Sequence, residues 1–312
     1  MPPHAGAVAA RLQVIAAAFL FSTGGAVIKA TSLSAWQVAS FRSALAVLAL
    51  PLLVPAVRRA IGSAWWRQAG WRIAAVGAAY GATLVLFVLG NKLTTAANTI
   101  FLQSTAPLYV LLVSPWLLGE RITRRNLAFM ATMAAGLALF FVRQRPPDEL
   151  APDPFTGNLL ALAAGVTWAA TLVGLRWLGT RSETGQGDVS ALAVVIGNLF
   201  ACLFALPPAL AGTASLARAG WSDAFLVLFL GVVQVGLAYA FLTRAFRRVP
   251  AFEASLLLLV EPVLNPVWVW MIHGETPGAW ALVGGAVILA ATAVKTWLDL
   301  RSARRLRRRP AR

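Results

Sequence analysis

Apolar stretches of about 17–25 residues, the length at which a helix crosses a ~30 Å hydrocarbon core, recur from one end of this 312-residue chain to the other. A chain patterned in this way has few folds open to it. With 59% of its residues apolar, 12% charged and a mean hydropathy of +0.73, its segments are apolar on all sides, which no water-facing element needs to be. Strands of a membrane barrel would alternate in polarity over about ten residues. Ala44–Val57 and Ala281–Val294 show no alternation. The expectation is an all-α integral membrane protein.

Reading apolar runs between charged and Gly/Pro breaks gives ten transmembrane helices, near residues 10–30, 35–57, 71–90, 96–118, 125–142, 156–178, 189–210, 222–243, 251–272 and 277–298. The run after Arg11 is read as the first span rather than a cleaved leader. Cytoplasmic loops carry the excess of Lys and Arg. With the N-terminus inside, 21 of the 27 basic residues fall on cytoplasmic segments, five on the other side, and Arg42 lies within a span. Both termini are therefore expected in the cytoplasm, as in a multi-pass protein of a bacterial inner membrane.

Shifting the sequence by 155 residues lays LTTAANTIFLQSTAPLYVLLVSPWLLGERI, from Leu93, over RVPAFEASLLLLVEPVLNPVWVWMIHGETP, from Arg248, without a gap. Pro107 falls on Pro262, Gly119 on Gly274 and Glu120 on Glu275. The polar, proline-rich stretch RQRPPDELAPDPF divides the chain into a first five-helix repeat at 1–142, a periplasmic linker at 143–155, a second repeat at 156–298 and a cytoplasmic polybasic tail at 299–312. Five spans are an odd number, so the second copy enters from the opposite face and the repeats are inverted.

Three features together resemble the drug/metabolite transporter superfamily, and within it the EamA-type ten-helix exporters. They are the ST-A-P run ending in LLGER (Pro107 to Arg121), its partner VEPVLNP ending in HGE (Glu261 to Glu275), and ASFRSALAVL around Arg42. Thr23-Gly24-Gly25 with Lys29 is similar to the family's first helix, with Thr where Trp is usual, and His273 stands where Leu usually precedes Gly-Glu. The resemblance implies efflux or exchange of small metabolites. Among subgroups the chain is most similar to the aromatic and neutral amino-acid exporters.

A transporter of this architecture needs a midplane site between its repeats. Intramembrane charges cost several kcal/mol and persist only when paired or facing water. Glu261, before Pro262, is a candidate for binding a proton or an ammonium group. Glu253 is a candidate gate carboxylate, and Arg42 reads as a fixed or gating charge able to reach outward along its stem. For a zwitterionic solute, the amide, hydroxyl and aromatic candidates are Tyr80, Asn98, Phe101, Gln103, Tyr109, Trp168, Gln234, Tyr239 and Asn265. Trp168 falls mid-span, away from the interfaces where Trp is enriched. Asn98 and Gln103 are about 140° apart on a helix and cannot both face the centre. Glu120 and Glu275 follow glycines in turns and are expected to cap a helix or bond loop amides. Pro107, Pro115, Pro262 and Pro266 are expected to kink or break their spans.

Other classes fit poorly. The +16 charge sits in loops and in the tail, where it suits anionic lipid headgroups better than nucleic acid. One cysteine, Cys202, and two histidines, His4 and His273, give neither a disulfide framework nor a metal cluster. No GxxxxGK[ST] run is present, so ATP is not expected to drive transport. No cofactor is expected. A membrane enzyme acting on lipids would need a third group beside His273 and Glu275. Export of a quaternary amine, a nucleoside or a drug stays open beside amino-acid export.

Overall fold

The computed structural model describes residues 3–62, 65–118, 123–142, 146–179, 186–245, 248–249, 254 and 257–307. In chain order the helices of the first half are α1 (Pro3–Ser22), α2 (Gly24–Ala30), α3 (Ala35–Leu53), α4 (Pro55–Gly62), α5 (Trp65–Leu93), α6 (Ala96–Gln103), α7 (Ala106–Leu118) and α8 (Arg124–Val142). The second half has α9 (Pro154–Gly179), α10 (Gln186–Ala211), α11 (Thr213–Arg218), α12 (Trp221–Leu228), a π-helical stretch Phe229–Leu237, α13 (Ala238–Ala245), α14 (Val260–His273) and α15 (Ala279–Arg307).

Among the described residues, nine helical segments are long and apolar enough to cross a membrane, from Val8–Ala30 to Ala279–Leu298. Each overlaps one of the expected spans. The remaining expectation, residues 251–272, is described as the 14-residue helix α14, and residues 250–253 and 255–256 before it lie outside the described part.

Three spans are interrupted, and the first and fourth show how. The first turns at Thr23, with φ −72° and ψ −14°; the fourth turns at Ser104, with φ −66° and ψ −4°. Leu259, just before α14, has φ −63° and ψ −12°. Ser104 and Leu259 are 155 residues apart, so the repeat register reproduces the break as well as the prolines that follow it. Pro107 and Pro262 sit in the first turn of the resumed helix, where a missing N–H leaves no intrahelical bond unmade. Hydroxyls repair the loosened backbone: Ser22 and Thr23 donate to the carbonyls of Phe19 and Leu20, and Ser104 and Thr105 to those of Ile100 and Leu102.

Helix packing has the pattern that a two-fold relation between halves generates. The third span packs on the sixth and the first on the eighth; the seventh on the third and the second on the eighth; the fourth on the sixth and the ninth on the first. The second and seventh, fourth and ninth, and fifth and tenth spans pair with each other. Such pairs are self-related under the operation.

Small residues set the closest crossings. A Cβ on Gly81 of α5 would lie 2.7 Å from the Gly197 carbonyl of α10, and one on Gly284 of α15 would lie 2.6 Å from the Gly136 carbonyl of α8. Both contacts are to backbone, which cannot rotate aside. Gly81→Ala and Gly284→Ala should therefore each cost about 1–3 kcal/mol by overpacking, read as a lower thermal midpoint of the detergent-purified protein. Gly62→Ala, with nothing within 4 Å of its Cβ position, should leave the midpoint unchanged and serves as the control.

Candidate functional site

At the junction of the two halves, the Tyr239 hydroxyl of α13 donates to the Tyr80 hydroxyl of α5 at 2.9 Å. Their rings are 6.3 Å apart at 77°. Trp168 of α9 flanks Tyr80 at 6.1 Å, and Phe21 of α1 meets Tyr239 edge-on at 5.6 Å. These four rings come from the third, sixth, eighth and first spans. The two outer contacts are made between span pairs that the same relation exchanges, third with sixth and eighth with first, and the hydroxyl pair joins them. Tyr80 is buried while the other three rings are half-buried.

Glycine makes room for the centre. A Cβ on Gly197 would lie 2.6 Å from Tyr80 Cδ1 and 2.9 Å from the Gly77 carbonyl, so the seventh span holds the Tyr80 ring by close approach.

Two charges flank the tyrosines. Arg42 is 2% exposed, and its Nη2 donates to the Leu84 carbonyl of α5 at 3.1 Å; its guanidinium is within electrostatic reach of Tyr80. It does not reach outward as its stem would allow, because α3 packs on that side against α5 and the π stretch, which leaves no path to the surface. Glu261 of α14 is half-buried and within electrostatic reach of both tyrosines. It makes no hydrogen bond or ion pair with another described residue.

One turn beyond Glu261, Asn265 is fully buried, and neither its amide oxygen nor its nitrogen is paired among the described residues. Its oxygen rests against Gly25, where a Cβ would come within 2.6 Å. Gln234, on the π stretch, lies against Gly24 in the same way; its nitrogen donates to the Phe21 carbonyl at 3.4 Å, and its oxygen is unpaired. Both amides thus converge on the break in the first span.

The other candidates have different partners. Asn98 donates to Asn158 at 3.0 Å, which also accepts from Thr94 at 2.8 Å, and ties α6 to the start of α9. Phe101 packs on Phe140 at 6.2 Å and over Gly285 of α15, in the apolar core. Tyr109 is half-buried and accepts from Thr105 at 3.5 Å. Gln103 is half-buried at the end of α6. Glu253 and Glu120 lie outside the described residues. Glu275 does bond a backbone amide, that of Ala96 at 2.8 Å, at the start of α6 rather than of its own next helix. His273 contacts the Ala26 carbonyl at 2.9 Å. Phe21 and Gly197 were not singled out from sequence as site residues; an isolated Phe and a Gly in an apolar run look like lipid-facing and packing positions until the fold brings Tyr80 and Tyr239 to them.

An inverted helical scaffold with polar groups and interrupted helices at its midplane defines a membrane transporter. The EamA-like transporter family model matches twice, over residues 9–142 and 155–297, and the chain belongs to that family. It is 30% identical over 282 residues to the pseudopaline exporter CntI of Pseudomonas aeruginosa, covering 90% of this chain and 93% of that one. It is 26% identical over 219 residues to an uncharacterized transporter of Archaeoglobus fulgidus, covering 67% and 74%. A solved crystal structure superposes with a TM-score of 0.51 at 21% identity, over 94% of this chain and 98% of that one, and so shares the fold. The protein is a transporter and not an enzyme.

The hydroxyl pair can be tested as a pair. Tyr80→Phe and Tyr239→Phe should each lower stability by about 0.5–1.5 kcal/mol. The double variant should cost little more than either single one, because both remove the same bond. Chemical unfolding of the four proteins gives the coupling energy. Gly197→Ala should displace the Tyr80 ring and weaken solute binding in a ligand-induced tryptophan quench.

Proposed function

We propose that this protein exports amino acids and amino-acid-like small metabolites by alternating access, with the solute bound at the Tyr80–Tyr239 junction. The observation that carries this reading is the set of four rings drawn from both halves, with an arginine and a carboxyl free of described hydrogen-bond partners both within electrostatic reach. Such a place suits a dipolar solute with an apolar or aromatic side chain: ring faces accept flat apolar groups and cations, while Glu261 can hold an ammonium group or a proton. Trp168, Tyr80, Tyr239, Gln234 and Asn265 are the proposed solute contacts. Arg42 acts through Tyr80, which it neighbours.

Outward direction is supported by the similarity to a pseudopaline exporter. The loop-charge bias supports cytoplasmic termini in a bacterial inner membrane, and the basic residues of the tail suit anionic headgroups. The same relative favours a second reading, in which the solute is a metabolite such as pseudopaline itself.

Proteoliposomes loaded with labelled neutral, aromatic and basic amino acids, or with pseudopaline, separate the two readings. Saturable efflux of an amino acid is the expected result, and its absence across all three groups would sink the amino-acid reading. Trp168→Ala should raise the half-saturating concentration about tenfold or more, in line with the loss of a central aromatic contact. Glu261→Gln should abolish accumulation driven by a pH gradient while sparing exchange. Unchanged pH dependence would remove Glu261 from coupling.

A further inference from the structure

We propose that Lys29 and Glu275 form an ionic latch that closes one mouth of the transport pathway and has to open in each cycle. The proposal rests on the alternating-access reading above. The two side chains are 3% and 1% exposed, and Lys29 Nζ is 2.9 Å from Glu275 Oε2. Lys29 also donates to the carbonyl of Thr94 at 3.0 Å and to that of Leu150. The ammonium group thus faces two backbone carbonyls and one carboxylate oxygen. The second Glu275 oxygen accepts from the Ala96 amide. One pair therefore joins the end of the first span, the turn between the third and fourth spans, the segment between the halves and the turn between α14 and α15.

The adjoining loop is held in the same manner. Lys92 donates to the carbonyl and hydroxyl of Thr31 at 2.7 and 3.1 Å. Asp223 accepts from the amide and hydroxyl of Ser32 at 2.7 and 2.8 Å, and from the Gly220 amide at 3.1 Å. Two cations and two anions thus meet around residues 29–32, and the bonds of Glu275 and Asp223 cross from the second half to the first. Gly274 directs Glu275 into place: it ends α14 in the left-handed region, at φ +66°, which other residues rarely adopt.

A buried pair is held by its mutual attraction while closed, yet removal of one partner leaves the other buried and uncompensated. An ion pair has a property that suits a gate: each ion is well solvated once water enters, so the open state regains much of what the closed one held. An apolar seal of equal area would have no such return.

The test reads opening without any solute. In the full-length, detergent-purified protein carrying Cys202→Ala, a Ser22→Cys reporter is placed at the first-span break, where Ser22 has no exposed surface. Its maleimide labelling rate is compared with Lys29 and Glu275 intact, in Glu275→Gln and in Lys29→Met, well below each thermal midpoint. Labelling should accelerate about tenfold or more, and more in Lys29→Met, which also removes the bonds to the Thr94 and Leu150 carbonyls that Glu275→Gln leaves in place. A lower midpoint with unchanged labelling would make the pair a static staple and overturn the proposal. Loss of the folded protein in both variants would overturn it too, by assigning the pair to the fold. Because no solute is present, a failed amino-acid assay leaves the latch result standing, and a failed latch leaves solute specificity untouched.

Discussion

In hydrocarbon, a backbone N–H or C=O without a partner costs several kcal/mol, and every departure from regular helix in this protein has to answer to that cost. The breaks at Thr23 and Ser104 do so with their own hydroxyls. The Phe21 carbonyl is met by Gln234 from the π stretch of the eighth span. Lys29 supplies donors to carbonyls of two loops. Irregular backbone is tolerated only where protein surrounds it, so the interruptions necessarily lie at the centre of the bundle. That is also where a solute has to be met.

The scaffold is symmetric and its chemistry is not. Ser104 and Leu259 share backbone geometry, and the ring contacts Trp168–Tyr80 and Phe21–Tyr239 are made between equivalent pairs of spans. Glu261 and Asn265, however, stand at register positions held by Ala106 and Val110 in the first repeat. The π stretch occurs in the eighth span, while the third is regular α-helix. Repetition supplies the scaffold, and polar residues on one copy alone give it a chemical polarity.

Much of the fold was legible because the bilayer imposes a length and the repeat a register. Nine described spans lie where apolar runs predict them, and Pro107 and Pro262 mark the points where helices restart. The site was legible in part. Trp168 stood out by its depth, and Tyr80, Tyr239, Gln234 and Asn265 by being polar within spans, and the fold brings these toward the centre. Asn98 and Phe101 carry the same signals yet meet Asn158 and Phe140, since helical phase and not residue type decides which face looks inward. The π stretch had no sequence signature at all: FLGVVQVGL reads as an ordinary apolar helix. Within it Gly231 packs closely against α3, where a Cβ would lie 2.6 Å from the Arg42 carbonyl. Lys29 and Lys92 counted as loop charges in the sequence, and only the three-dimensional arrangement turns them inward.

The bond between Tyr80 and Tyr239 has a consequence for turnover. Each hydroxyl already has a partner in the empty protein, so a solute that recruits either one exchanges a hydrogen bond instead of gaining one. The net affinity is a difference between two similar terms, and is modest by construction. For a receptor that would be a defect. For a carrier that binds its solute there, as proposed above, it removes a deep energetic well from the middle of the route.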